Sequence, residues 1–411
     1  MPAPLMGLIE AAIAQNPIVK GAQANMRAVE QDVSVARRAA WPTLSVVNEK
    51  NLNDAGLSAR VTTLQVDHTL WDNGVNDARV EAVKAQAATA ALQTRLQQQD
   101  LAIQVINAWQ ALLAAQMREQ AAQDTEAEIE AYKEQMVRRV NALASPAIDL
   151  ELVNARLLQT QVERVSAKNS VAVALRALTR LTGQENLADQ AWAKAATAMP
   201  PATPEQIAAF RAQLASFDWA GMTASHDLVE KARLEYAQVA AQLEAKQSER
   251  WPQAYARLDQ PLNNNAVTGS NQASYFIGIR YTPGAGLTNG LESQALTSRL
   301  EAQTYQIETA GREISQLVFD DRQAFATNVD QAQTQDRSLK GAQMVLVSYE
   351  RQFQAGRKTW QDLLNAAREV AQNKFSLSDT QAALQGAMHR LQIRMGAVDG
   401  LLDARVVHGA Q

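Results

Sequence analysis

The sequence predicts a mainly α-helical chain with transmembrane-type β-strands, built from one helix–strand–strand–helix unit used twice. Three observations predict it. Landmarks in the first half recur in the second at nearly one offset. A long stretch free of Pro and Gly follows the strand region of the first half, and a long helix is expected at the same place in the second. Short alternating segments bounded by Trp and Tyr sit between the helices, as strands facing two different media do.

The repeat is read from four landmarks. Trp41-Pro42 recurs as Trp251-Pro252, 210 positions on, and Asn73-Gly74 as Asn289-Gly290, 216 on. Asp149-Leu150 recurs as Asp362-Leu363, and Leu181-Thr182-Gly183 as Arg394-Met395-Gly396, both 213 on. The expected division is a first repeat over 1–183, a connecting segment over 184–225 marked by Pro200-Pro201 and Pro204, a second repeat over 226–396 and a tail over 397–411.

Within the first half, a helix is expected from about Met6 to Ala40, stopped at Trp41-Pro42 because the residue before proline leaves the α region. Strand-like sequence runs on to Trp71, broken by the turn composition Asn53-Asp54-Ala55-Gly56. After Gly74 there is no Pro or Gly to about Asn141, and Leu92, Leu96, Ile103, Ile106, Leu113 and Met117 form a heptad-like stripe. At 1.5 Å per residue such a helix is about 100 Å long. Leu143-Ala144-Ser145-Pro146 breaks it, and a second helix ends at Gly183, a helix-terminating glycine. The second half repeats this plan: a helix to Glu249, strands to Tyr281, a long helix from Gly290 to about Gln354, a tip at Gly356 and a helix to Gly396.

The strands carry the membrane signal. Tyr275, Ile277, Ile279 and Tyr281 alternate with Phe276, Gly278, Arg280 and Thr282, giving one apolar face with an aromatic at each end. Trp41, Trp71, Trp251 and Tyr281 stand at helix–strand junctions, where a membrane–water boundary favours amphipathic rings. A small soluble hairpin capped by core aromatics is the alternative. In Leu57–Leu70 the apolar phase changes from Leu57, Ala59 and Val61 to Leu64, Val66 and Leu70, which fits either a bulge or a strand leaving the membrane. Four strands cannot close a barrel and lipid forbids an open edge, so membrane strands would require a cyclic oligomer; three copies would supply twelve strands.

Composition excludes other classes. Cysteine is absent, which removes disulfides, thiolate metal sites, thiol nucleophiles and a lipidated N-terminal Cys. The net charge of −4 gives no electrostatic case for nucleic acid. No run of about 18 apolar residues would make a transmembrane helix. No basic stretch followed by an apolar one opens the chain, so no leader is read in Met1–Gly7. His68, His226, His389 and His408 share no motif, His68 in strand-like sequence and His389 in a late helix read as surface or lumen residues, and Asp320-Asp321 lie mid-helix pointing apart. No phosphate loop, nucleophile elbow or zinc-binding helix appears, so no catalytic, cofactor or metal site is expected.

In this order and spacing, four stretches resemble the TolC family of outer-membrane efflux and secretion ducts. They are Ala12–Pro17, Trp41-Pro42-Thr43-Leu44, Trp71-Asp72-Asn73-Gly74, and Phe353–Leu364 around the second tip. The resemblance covers residues 5–396. It implies a homotrimer with a twelve-stranded β-barrel in outer-membrane lipid and an α-helical tunnel in the periplasm. It also implies a tunnel mouth closed by coiled helices, which untwist on contact with a periplasmic adaptor (membrane fusion) protein and an inner-membrane transporter.

The resemblance also assigns residues. Asp362, six after Gly356, matches an acid that rings the mouth, and a three-fold carboxylate ring attracts cations. The family's second acid, one turn on, is Asn365 here, a departure that weakens the ring. Lys358, with Arg357 beside it, matches a base that closes the mouth by pairing with an acid on the first hairpin. Counting back from Gly183 gives Asp149; aligning Asn154-Ala155-Arg156 gives Glu151. An aromatic that joins this latch is matched by Phe353, which lacks the hydroxyl. Leu143, Ala144, Ser145, Pro146 and Gly356 form the two tips where an adaptor would dock.

Drug-efflux relatives commonly carry a Gly-Leu tip in both halves. The first tip here lacks the glycine and the second is closer to type I protein-secretion ducts, which is the expected function. A multidrug efflux duct is the alternative. A soluble coiled-coil scaffold and an adaptor subunit are the rivals of other classes.

Overall fold

The computed structural model describes residues 1–50, 60–184, 202–262, 272–282, 284 and 288–400. The expected turn at 53–56, Leu57, Ala59, Pro200-Pro201, His408 and most of the tail lie outside these residues.

The single opening helix expected from Met6 to Ala40 is two helices, α1 (Ala3–Gln15) and α2 (Pro17–Arg38). Pro17 cannot donate a backbone hydrogen bond and holds Asn16 extended, at φ −64° and ψ 128°. Asn16 then caps α2, its side chain accepting from Ile18 N at 3.0 Å, while its Nδ2 donates to the Leu181 carbonyl.

Strands β1 (Thr43–Lys50) and β2 (Arg60–Trp71) follow, then α3 (Val75–Asn141), whose 67 residues make a rod of about 100 Å. Its start is fixed by Asp72, whose carboxylate accepts from Gly74 N and Asn76 N. Helix α4 (Ala147–Thr182) runs back along α3 and ends at Gly183, where φ is +70°.

The segment expected to be a connector folds into α5 (Pro204–Ser216) and α6 (Trp219–Ala224). Thr203 and Gln206 form a reciprocal capping box that starts α5, with Pro204 in the first turn. Its Phe210 packs edge-on against Phe325, ring centroids 5.3 Å apart. The second unit is α7 (Asp227–Ser248), β3 (Gln253–Pro261), β4 (Ser274–Arg280), α8 (Asn289–Gln354) and α9 (Trp360–Arg394). The order helix, two strands, long helix, returning helix is therefore present twice.

All four strands form one antiparallel sheet in the order β1-β2-β3-β4, so β2 against β3 joins the two halves. The core is distributed along the rods. One cluster gathers Leu5, Ile9 and Ile13 of α1 against Val105, Ile106 and Trp109 of α3. Another, near the two tips, holds Tyr132, Met136, Trp360, Leu363 and Leu364. Of the stripe expected on α3, Ile106 and Leu113 are buried, but Leu92, Leu96, Ile103 and Met117 are only half-buried. Helix α3 packs against α1, α2, α4, α7 and α9 along its length, so no single heptad face describes its burial. Among the described residues, no helix is long and apolar enough to cross a membrane.

Candidate functional site

Cross-strand partners share a face of a sheet, so the register sorts the strand residues into two surfaces. Leu44 pairs with Val66, Val46 with Leu64, Val66 with Leu258, and Leu258 with Tyr275. Ala256 pairs with Ile277 and Ala254 with Ile279. One surface is thus mainly apolar across the four described strands, with Asn48, Thr62 and Gln260 at the end away from the helices, and on β4 it is uncovered: Ile277 is 84% exposed and Ile279 77%. Tyr275 and Tyr281 flank it, roughly 20 Å apart at the strand rise, close to the height of a membrane-barrel band.

The register also settles the change of phase in β2. Pairing with β1 is unbroken from Arg60 to Asp67, so Val61 opposes Glu49 on the other surface while Leu64 and Val66 join the apolar one. The irregularity lies lower, between Thr69 and Trp71, and sets Trp71 opposite Ala254 on the apolar side. Trp41, Trp71, Trp251 and Tyr281, expected at a membrane boundary, are all exposed at the helix–strand junctions. His68 shares the apolar surface, opposite Ala256.

The opposite surface is polar. Asp67 bonds Arg257 Nε at 3.0 Å and lies 3.6 Å from Arg280, whose guanidinium covers the Tyr255 ring. Gly278, paired with Tyr255, leaves room for that ring; a Cβ there would lie 2.9 Å from it. Just outside the sheet, Lys246 of α7 bonds Glu249 at 2.8 Å and also Glu292 of α8, while Arg79 of α3 bonds Glu249. These bonds raise the Lys246 pKa, Glu249 first and Glu292 next.

At the far end of the rods are the tips. The first turns at Leu143, which holds φ +58°, rare for a branched residue, and is 94% exposed. The second makes the same turn with Gly356 at φ +73°. Ser145 accepts from Arg139 Nε, Ala144 is exposed, and Pro146 is the extended residue that precedes α4.

The expected gate residues meet here, with different partners. Asp362 closes the capping box of α9: its carboxylate accepts from Thr359 N at 3.1 Å and Thr359 Oγ1 at 2.8 Å. Those bonds, then Lys358, hold its carboxyl below the usual aspartate range. Asn365 and Arg357 are exposed. Lys358 lies 3.9 Å from Asp362 and over the Tyr349 ring. Among the described residues no ion pair joins it to Asp149 or Glu151. At the tips, a bond between the hairpins instead runs from Trp360 Nε1 to the Asp149 carbonyl, at 3.1 Å. Phe353 is buried, 5.1 Å from the Trp360 ring and beneath the Arg139 guanidinium.

Sequence reasoning missed the placement of five residues. Trp360 and Tyr132 lie 211 and 218 positions from their hydrogen-bond partners, and nothing local marks them. Asp321, set aside as one of a diverging pair, is buried and bridges Arg390 and Arg394, joining α8 to α9; Arg390 goes on to Asn107 and Gln110 of α3. His389 is buried rather than a surface residue, with Nδ1 against Gln392, and burial lowers its pKa. His226 caps α7, its Nδ1 accepting from Leu228 N.

Residues 8–184 match the sequence profile described as outer membrane efflux protein. No curated protein matches the sequence.

Solved structures share the fold of this chain along nearly its whole length. A membrane protein from Pseudomonas aeruginosa is 16% identical with a TM-score of 0.79, covering 96% of this chain and 90% of that one. CusC, whose structures concern transmembrane channel formation, is 16% identical with a TM-score of 0.80, covering 95% and 91%. The outer membrane protein VceC from Vibrio cholerae is 15% identical with a TM-score of 0.79, covering 96% of each chain. Trp41-Pro42 lies inside the residues matched by the profile and the tip sequence Phe353–Leu364 outside them, while the shared fold spans both.

Proposed function

We propose that three copies of this chain form an outer-membrane duct. The four-stranded sheets close into a twelve-stranded barrel, with the apolar surface of Ile277 and Ile279 toward lipid and the Asp67–Arg257–Arg280 surface toward the lumen. The helices form a tunnel in the periplasm, and the tips receive a periplasmic adaptor tied to an inner-membrane transporter. The observation that carries this is one mainly apolar sheet face, uncovered on β4, above rods of about 100 Å. The division into two repeats, an equatorial segment and a tail is part of the same reading.

Asp362 is the cation-attracting ring of the mouth, weakened by Asn365, with Lys358 beside it. For cargo, type I protein secretion is the first reading, supported by the first tip, where an exposed Leu143 stands in place of a glycine. Small-molecule efflux is the second, favoured by the description of the profile that residues 8–184 match.

Light scattering and single-particle electron microscopy of detergent-extracted protein test the duct. The expected particle is three times 44.8 kDa in protein mass, a rod well over about 100 Å long with detergent at one end. A monomer or dimer that needs no detergent would overturn it and return the coiled-coil scaffold. Export assays with the adaptor and transporter present then separate the cargo readings.

A further inference from the structure

Near the tips, four ionisable groups from three helices meet above a sealed apolar cluster. The Tyr132 hydroxyl of α3 donates to Glu350 of α8 at 2.5 Å and lies 3.4 Å from Glu128, one turn back on its own helix. Lys374 of α9 stands 4.0 Å from Glu128. On α4, Arg164 is turned to Glu126, at 3.0 Å, and not to this group. The Tyr132 ring is 6% exposed and packs edge-on to Trp360, centroids 5.9 Å apart. The cluster sits nine residues above the end of α3, or about 14 Å.

The count of protons is the point of interest. Two carboxylates share one phenolic hydrogen and one distant ammonium, and a hydroxyl donates to only one acceptor at a time. The arrangement is therefore one proton short. Like charges in a half-buried site repel until one is neutralised.

We propose that Tyr132, with Glu128 and Glu350, is a proton-binding tie between the two hairpins that sets the resting aperture of the mouth. The inference rests on the duct reading above. With one proton added, Glu128 becomes a donor, the repulsion ends, and α3 is held to α8 through three consecutive hydrogen-bonding groups. Without it, the surplus charge presses α3 and α8 apart, and within the cluster the Tyr132–Glu350 bond and the longer Glu128–Lys374 pair act alone against it.

The sign of the response follows. Burial first, then Glu350, raise the Glu128 pKa, against Lys374 and the Tyr132 bond. Burial and the Glu350 bond also raise the Tyr132 pKa, so its proton stays in place at every pH considered. A carboxyl raised in the tied state and ordinary in the released one binds its proton more tightly when tied. The tie is strongest below the ordinary glutamate range and weakens as pH rises through the raised value. Asp362, held below its ordinary range, does not titrate in that window. Asp100 and Asp379, also raised by burial, lie outside the cluster, so variants at Glu128 separate them from it.

Single-channel conductance of the full-length trimer in planar bilayers, with the tunnel side taken from about pH 7.5 to about pH 5, tests the proposal. Wild-type conductance is expected to fall several-fold on acidification. Glu128→Gln, a mimic of the protonated form, is expected to be low already at the neutral end and flat with pH. Tyr132→Phe, which keeps the ring in its apolar cluster, and Glu350→Gln are expected to conduct more and lose most of the response. A wild-type channel flat over this range, or a response unchanged in Glu128→Gln, overturns the tie while leaving the duct intact. Absence of any conducting trimer would instead remove the duct reading.

Discussion

The indole Nε1 of Trp360 donates to the backbone carbonyl of Asp149 at 3.1 Å, joining the first residue of α9 to the first turn of α4. Trp360 is 3% exposed, and its ring lies between Tyr132 and Phe353. The two hairpins of one chain are therefore bound at the tips by an aromatic plug and by this directed bond, beside the one from Tyr132 to Glu350. Both must yield if the hairpins are to part.

Trp360→Phe keeps most of the plug and deletes the bond. The expected loss is about 1 kcal/mol, the net worth of one hydrogen bond. It should appear as a lower Tm of the trimer and faster proteolysis near Leu143. Cleavage at the wild-type rate would show that the bond does not restrain the tips.

Leu143 holds a left-handed backbone that costs a branched residue about 1–2 kcal/mol, a strain glycine would not bear. Leu143→Gly is accordingly expected to leave trimer stability unchanged or slightly higher. The same variant should lose adaptor capture in a cross-linking assay, since the exposed side chain is the part an adaptor would meet. Undiminished cross-linking would assign docking elsewhere.

A charge on the apolar sheet face should not be tolerated. Ile277→Lys is expected to cost about 2–4 kcal/mol near the centre of a bilayer and to reduce assembled protein in outer-membrane fractions. Phe276→Gln, on the polar face, should assemble normally. Equal yields of the two would contradict the assignment of faces.

Asp321 neutralises part of the Arg390–Arg394 pair in a buried setting. Removing one partner of a buried ion pair costs about 3–5 kcal/mol. Asp321→Ala should approach the low end of that range, since Arg390 keeps Asn107 and Gln110. Thermal unfolding of the trimer measures it, and a shift near zero would mean that water replaces the carboxylate.

The Asp362 carboxyl is depressed by its Thr359 bonds, so the folded form favours the charged state. Its contribution is present above the ordinary aspartate range and is lost only as pH falls through the depressed value. Cation selectivity of the channel should persist to about pH 4 and fade below it. Asp362→Asn, which keeps an acceptor for Thr359, should lose selectivity at neutral pH while retaining the helix start; unchanged selectivity would remove Asp362 from the mouth.

Much of this was legible in the chain. Pro42, Gly74, Gly183 and Gly356 act on their own backbone, so they marked element ends before any contact was known. Pro17 carries the same kind of signal; reading it as part of a continuous helix overlooked the restriction it places on Asn16. The alternation of Tyr275, Ile277, Ile279 and Tyr281 is equally local. The face shared by β1 to β4 is not, because it depends on a register set between strands nearly two hundred positions apart.

The sequence by itself determined the repeated order of helices and strands, the length of the rods and the two turns at the tips, because breakers, caps and alternation act within a few residues. The tertiary structure alone decided which groups meet. Trp360 bonds Asp149, Tyr132 bonds Glu350, and Asp321 holds two arginines, while Lys358 turns to Asp362 within its own turn instead of crossing to the first hairpin. The physical reason is distance along the chain: a bond between helices depends on how far each rod extends and how it is rotated, and no local pattern encodes either.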